Sequence, residues 1–394
     1  MHSLVPTMDD IGFEELMNDP YPSFDRIRKE ASAVWVSSAR INLVTRFDDI
    51  MHIERNHADF ASTNPGSLMN KIMGHSLMRK DDEEHQVERK AVETAFRPGV
   101  VKQYWAPRLE AISDRLIAGF EKDGETDLFN AFAAPMAAYG LTELLGFKSD
   151  VAWQDMCDWS QSLMDAVGNY TADPAIEARG HAAAASIATE IDRAMPEHRA
   201  TENPSVLSSM AHAESLHSID QIRANVNVIV GGGLNEPRDS ILTTVMALLS
   251  NPDQLAQVRE NRKLFAKAFE EAVRWVAPIG MYPRRVTRDV VLGDTQLKEG
   301  DQIGLCVGAA NRDPSRFENA HAFDINRPRQ GHLGFGAGPH FCAGTWVARQ
   351  MVGEIAVPML FDRLKNLRLH DSKPVTERGW VFRGPTSLPV QWDV

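Results

Sequence analysis

The sequence is short of cysteine. Cys157, Cys306 and Cys342 are its only three, too few for a disulfide framework and without the paired short spacing of a zinc site. It also lacks a net positive charge. The balance is -12, which argues against wholesale nucleic-acid binding. No window approaches the ~20 apolar residues of a membrane span, and Met1 to Asp10 shows no charged-then-apolar signal pattern. There is no internal repeat and no low-complexity tract beyond a short alanine run at Ala182 to Ala185. These absences leave an ordinary globular chain, with 43% hydrophobic and 24% charged residues, expected in a reducing cytoplasm. Its 394 residues exceed the usual domain size but suit a single unit, 1–394, built around a large cofactor.

What is there is concentrated in Phe335-Gly336-Ala337-Gly338-Pro339-His340-Phe341-Cys342-Ala343-Gly344. Glycines let such a loop fold tightly against a flat ligand. A helix is expected to begin at Thr345, just after Cys342. A helix N-terminus favours thiolate over thiol, so Cys342 reads as a thiolate ligand to a metal.

The spacing Phe-x-x-Gly-x-His-x-Cys-x-Gly resembles the haem-binding signature of the cytochrome P450 family, and the resemblance extends along nearly the whole chain. It implies a mainly α fold with a small β region. The haem, iron protoporphyrin IX, would lie between a distal helix, Asn225 to Ser250, and the helix after Cys342. It implies haem contacts at Phe335, His340 and Gly344, with Cys342 the metal ligand and His332 and His340 as propionate donors.

The chain in order fits that frame. Asp19-Pro20-Tyr21-Pro22 opens a helix; Ala33 to Val36 and Ile41 to Thr45 read as strands; Phe47 to Asn56 returns to helix. Residues 60–82 are weakly periodic and read as a loop carrying Met69, Met73 and Met78. By resemblance this loop covers the substrate. His85 and Arg89 lie one helical turn apart, and the family places such a pair on a haem propionate. Residues 99–224 read as mostly helical, and part of 160–180 is expected to line the substrate channel. Glu271 and Arg274 share a helix face, and with Arg327 they resemble the family's buried Glu-Arg-Arg brace. Arg284 or Arg285 is expected to meet a propionate, with Arg285 favoured. Val290 to Leu297 and Gln302 to Val307 read as strands. Substrate contacts are implied at Met73, Val230, Gly233, Ile279, Met281 and Phe382, the last in a strand–turn at Trp380 to Leu388.

The distal segment reads Val230-Gly231-Gly232-Gly233-Leu234-Asn235-Glu236-Pro237. Three glycines and a proline are costly in a helix, so an interruption is expected there, and such departures mark function. In the resembling helix the porphyrin packs against small residues such as Gly232. Most members place an acid and then a threonine at this point to move protons. Counting back from Asn251-Pro252 puts Asn235 at the acid position and Glu236 at the threonine position. A one-residue shift would make Glu236 the acid and Pro237 the threonine replacement. Either way the alcohol is missing, and Glu236 is the candidate proton shuttle, able also to deprotonate hydrogen peroxide.

The resemblance implies a monooxygenase that takes O2 and electrons from NAD(P)H through a separate ferredoxin and ferredoxin reductase. These would dock on the side of Cys342, where Lys90 and Arg349 offer positive charge. The substrate expected is a small aromatic or apolar molecule. The tail and the Asn-Glu-Pro helix point to O-demethylation of methoxyphenols, as in aromatic catabolism. Hydroxylation of a fatty acid, terpenoid or alkyl ether, or a non-catalytic haem sensor, are the alternatives.

Overall fold

A computed structural model describes residues 3–169, 172–214 and 218–394. Tyr170 and Thr171, within the expected channel segment 160–180, lie outside the described residues. The chain forms two compact units, each assembled from separate stretches of sequence.

The first unit comprises Met1–Asn64, Leu242–Cys342 and Leu369–Pro389, and holds most of the β structure. Its six-stranded sheet runs in the order Thr7–Met8, Val34–Val36, Ile41–Val44, Gln302–Leu305, Tyr282–Val286 and Phe60–Ala61. Gln302–Leu305 pairs parallel to Ile41–Val44 and antiparallel to Tyr282–Val286, with Ile303 opposite Arg284 and Gln302 opposite Arg285. Successive strand residues point to opposite faces, so the two arginines cannot share one environment. A hairpin of Val290–Leu292 and Thr295–Leu297 turns at Gly293, whose φ of 54° suits glycine. The sheet's apolar face packs against Phe47, Ile50 and Ile53, spaced as one stripe of the helix Phe47–Arg55.

The second unit comprises Pro65–Ile241, Ala343–Arg368 and Val390–Val394, and is mostly helical. Prolines sit in first turns, where a missing N–H costs nothing. Examples are Pro107, Pro135 and Pro174, the last beside Asp173, whose carboxylate accepts from the Ala175 N–H at 2.8 Å. Helix Ala134–Leu145 ends at Gly146 with φ 83°, a left-handed cap.

Four expectations need correction. Residues 60–82 are not one loop: they contain the strand Phe60–Ala61, the helix Leu68–Met73 and a short turn Leu77–Arg79. The strand expected over Gln302 to Val307 stops at Leu305, and Val307–Ala310 makes a helical turn closed by Ala310 N–H to Cys306 O at 3.0 Å. Trp380 to Leu388 is strand only at Gly384–Ser387, apart from an isolated bridge at Phe382. The distal helix is unbroken from Ile219 to Leu249, with Pro237 inside it. Three glycines and a proline cost about 6 kcal/mol. Val226, Val230, Leu234, Ile241, Leu242 and Val245 are all 0% exposed, and their burial contributes about 10 kcal/mol. Packing outweighs propensity.

Candidate active site

The loop before Cys342 is fixed by its own backbone. Gly336 N–H donates to Leu333 O at 2.9 Å, Phe341 N–H to Gly338 O at 3.2 Å, and Cys342 N–H to Phe335 O at 2.9 Å. Gly336 and Gly338 have φ of 68° and 63°, which a side chain would strain. A Cβ at Gly338 would also fall on the carbonyl of Glu54. Phe335 packs against Phe269, His332 and Phe341, with centroids 6.2, 5.8 and 6.5 Å away. Of the three thiols, Cys306 is buried, Cys157 is half-buried and Cys342 is exposed. Burial pushes Cys306 up strongly and Cys157 to about 11, so neither suits thiolate chemistry. Cys342 alone combines access with a rigid loop and a helical run starting at Thr345. That donor set fits a soft metal centre held by one thiolate. In the second unit, Gly344 is the N-cap of Thr345–Ala348, its carbonyl accepting from Ala348 N–H at 2.9 Å.

The two neighbouring arginines differ sharply. Arg284 is buried and donates to Glu54 Oε1 at 2.8 Å. Arg285 is half-buried, and its side chain has no hydrogen bond or ion pair among the described residues. His332 lies 3.2 Å from Glu270 Oε2 through Nε2, and its Nδ1 accepts from Gly334 N–H at 3.1 Å. His340 ends the short turn Gly338–His340. Beneath the same loop, Arg274 donates to both oxygens of Glu271 at 2.7 and 2.8 Å and to the carbonyls of Asn311, Ala320 and Ala322. Arg327 Nε reaches Glu271 Oε1 at 3.2 Å. The Glu-Arg-Arg cluster is therefore physically assembled, with Arg274 only 2% exposed.

In the second unit the glycines of the distal helix separate into two kinds. A Cβ at Gly231 would meet Met164 Sδ at 2.9 Å and Met73 Cε at 3.1 Å, and one at Gly233 would meet Leu141 Cδ1 at 3.1 Å. These two are small because neighbours press on them. A Cβ at Gly232 would meet only Glu236 Oε1, at 4.0 Å. Gly232 is thus small without steric demand from the protein, and it opens a space one turn from Glu236. This is the kind of cradle that a flat ligand packing on backbone requires.

Glu236 keeps both carboxylate oxygens from solvent, and neither has a hydrogen-bond partner. Burial pushes its carboxyl up to about 8; the charge of Asp239 adds to the rise and Arg238 opposes it. Arg238 does not pair with Glu236. Its Nε donates to Asp239 Oδ1 at 2.7 Å, and its guanidinium lies 4.9 Å from the centre of the Phe129 ring. Asn235 is buried and its Oδ1 has no partner. Pro237 has no N–H to offer Gly233 O, so the usual helical bond is missing at that turn.

The remaining candidates are placed as follows. His85 is buried, and Arg89 approaches Glu93 at 3.6 Å. Met73 is buried and contributes its carbonyl to Asn227 Nδ2 at 3.1 Å. Val230 is wholly buried. In the first unit, Ile279 and Phe382 face each other across an isolated β-bridge, whereas Met281 packs into the core against Gly304. Glu54 and the Arg238–Asp239 pair escaped sequence reasoning. Only the adjacency of Arg238 and Asp239 offered a signal, and adjacent helical residues do not ordinarily face each other.

Comparison with known proteins agrees with this geometry. Residues 191–380 match the family model "Cytochrome P450". Cytochrome P450 107B1 of Saccharopolyspora erythraea is 31% identical over 374 residues, covering 89% of this chain and 88% of that protein. Pulcherriminic acid synthase of Bacillus subtilis is 28% identical over 402 residues, covering 96% of each. The crystal structure of CalO2 superposes with a TM-score of 0.87 at 29% identity, covering 99% of each chain. The chain belongs to the cytochrome P450 family. It is accordingly a haem b oxidoreductase that uses O2 and electrons delivered from NAD(P)H by redox partners. No described helix is long and apolar enough to cross a membrane.

Proposed function

We propose that this P450 demethylates small methoxyaromatic compounds in the cytoplasm, and that Glu236 handles protons in place of the usual acid–alcohol pair. Haem supplies oxygen activation when bound, with Cys342 as its thiolate ligand. Arg285 would hold a propionate, since Arg284 is committed to Glu54; His85, Arg89, His332 and His340 are further candidates for the haem edge. Gly232 would let the macrocycle approach the distal helix. Hydroxylating the methyl carbon of a methoxy group yields a hemiacetal, which breaks into a phenol and formaldehyde.

The observation that carries the reading is Glu236: a sealed, unpartnered carboxylate whose Oε1 lies 4.0 Å from where a Cβ on Gly232 would sit. A carboxyl raised to about 8 exists in both protonation states near neutrality. Protonated, it can donate; ionised, it can take a proton from hydrogen peroxide and support some peroxide-driven turnover. Met73 and Met164 beside Gly231 supply adaptable apolar surface suited to a small ring.

The test combines two measurements. A panel of methoxyphenols, fatty acids and terpenoids is scored by spin-state shift. NADH consumption with a ferredoxin and its reductase is then followed together with formaldehyde release. The reading expects methoxyphenols to give the largest shifts and formaldehyde to match the NADH used. A shift confined to fatty acids or terpenoids would redirect the substrate class. Haem binding without turnover of any substrate would make the protein a sensor.

A further inference from the structure

We propose that Glu54 is a positioning residue for the Cys342 loop and for the arginine pair, an inference that rests on the haem-thiolate reading. Glu54 lies near the end of the helix Phe47–Arg55 and is 4% exposed. Its two carboxylate oxygens act on different elements. Oε1 accepts from Arg284 Nη2 at 2.8 Å, and Oε2 accepts from the Ala337 N–H at 3.4 Å. Its backbone carbonyl is the surface against which Gly338 is seated, at a position where no side chain would fit. One residue therefore touches the metal-binding loop twice, five and four residues before Cys342.

The same contacts select between two arginines. Arg284 is anchored three ways: by Glu54, by its own donation to Pro283 O at 3.1 Å, and by lying 5.0 Å from the centre of the Tyr282 ring. Both members of the ion pair are buried, with side-chain exposures of 7% and 1%. A buried guanidinium without its counter-ion is strongly unfavourable. Glu54 thus neutralises Arg284 in place and leaves Arg285, on the opposite face of the strand, as the one guanidinium of the two free to meet an anionic group. Without Glu54, Arg284 would be a buried cation with no counter-ion.

The test uses the full-length, haem-loaded protein and four variants: Glu54→Ala, Glu54→Gln, Arg284→Met and the double variant Glu54→Gln/Arg284→Met. Each is reduced under carbon monoxide. The rate at which the red-shifted thiolate band converts to its blue-shifted, thiolate-free counterpart is measured, together with haem transfer to apomyoglobin and the melting temperature. Glu54→Ala is expected to convert about ten-fold faster than the parent. Glu54→Gln keeps an acceptor for Ala337 but strands Arg284, and is expected to convert about three-fold faster; adding Arg284→Met should bring it back to within about two-fold. A merely structural role would lower the melting temperature of all variants without that rescue. If Glu54→Ala does not fold, the Gln variant and the double variant decide. Conversion of Glu54→Gln at the parent rate, or no rescue in the double variant, overturns the inference. A parent protein lacking the red-shifted band would instead remove the haem-thiolate reading beneath it.

Discussion

Replacing Glu236 by glutamine removes a titrating group while keeping its size. The parent carboxyl is raised from 4.5 to about 8, chiefly by burial. At pH 7 only about a tenth of it is ionised, and each further unit downward costs about ten-fold. If ionised Glu236 takes the proton from hydrogen peroxide, peroxide-driven kcat/KM rises about ten-fold per unit from pH 6 and levels off above about 8. The electron-driven route needs the protonated form and falls above about 8. The glutamine variant should lose about 10²- to 10⁴-fold in peroxide activity, and its remaining activity should be flat with pH. The charged neighbours acting on Glu236 are Asp239, which raises it, and Arg238, which lowers it, with Cys157 near Arg238 in turn. Replacing Asp239 by asparagine removes the raising charge and strips Arg238 of its partner, so the inflection should move to lower pH. The assay is initial-rate oxidation of a methoxyphenol with peroxide over about pH 6 to 9. A flat parent profile, or a glutamine variant with the parent's profile, refutes the reasoning.

Other consequences follow from the same geometry. Glu236 binds its proton more tightly folded than unfolded, so it contributes less stability as pH rises from about 4.5 to about 8; Glu236→Gln should therefore stabilise the fold by roughly 3 kcal/mol at pH 7 and by little at pH 5, read from chemical denaturation. Gly232→Ala should leave the melting temperature unchanged or raise it, since its Cβ meets only Glu236 at 4.0 Å, yet weaken haem or ligand binding in spectral titration; Gly231→Ala, pressed by Met164 and Met73, should destabilise by about 1–3 kcal/mol. Arg274→Met should cost about 3–5 kcal/mol by removing the bidentate partner of buried Glu271 and leaving three carbonyls without their donor, and Arg274→Lys should not rescue it, as measured by chemical denaturation.

Much of the architecture was legible because it rests on local chemistry. Pro22 opens a helix where expected, and the β-branched runs around Val34 and Leu43 form strands. The brace was legible as Glu271 and Arg274 three apart, with Arg327 meeting them. The distal helix was misread in its middle because propensity is local, whereas the burial of Val226, Val230 and Leu234 is not. The helix Leu68–Met73 was missed because six residues give too little periodicity to detect. Glu54 was invisible for a different reason. Its partners Arg284 and Ala337 lie 230 and 283 residues away, and nothing in its own segment announces them. The separate reasons for Gly231, Gly232 and Gly233 lie in tertiary neighbours, so three identical letters have different surroundings.

The account turns on the sulfur of Cys342. The most direct measurement is the absorption spectrum of the dithionite-reduced, carbon monoxide-bound protein beside its Cys342→Ser variant. The parent should show the strongly red-shifted Soret band that only thiolate ligation imposes, and the serine variant should lose it. A parent without that band, or a serine variant that retains it, contradicts the assignment of Cys342.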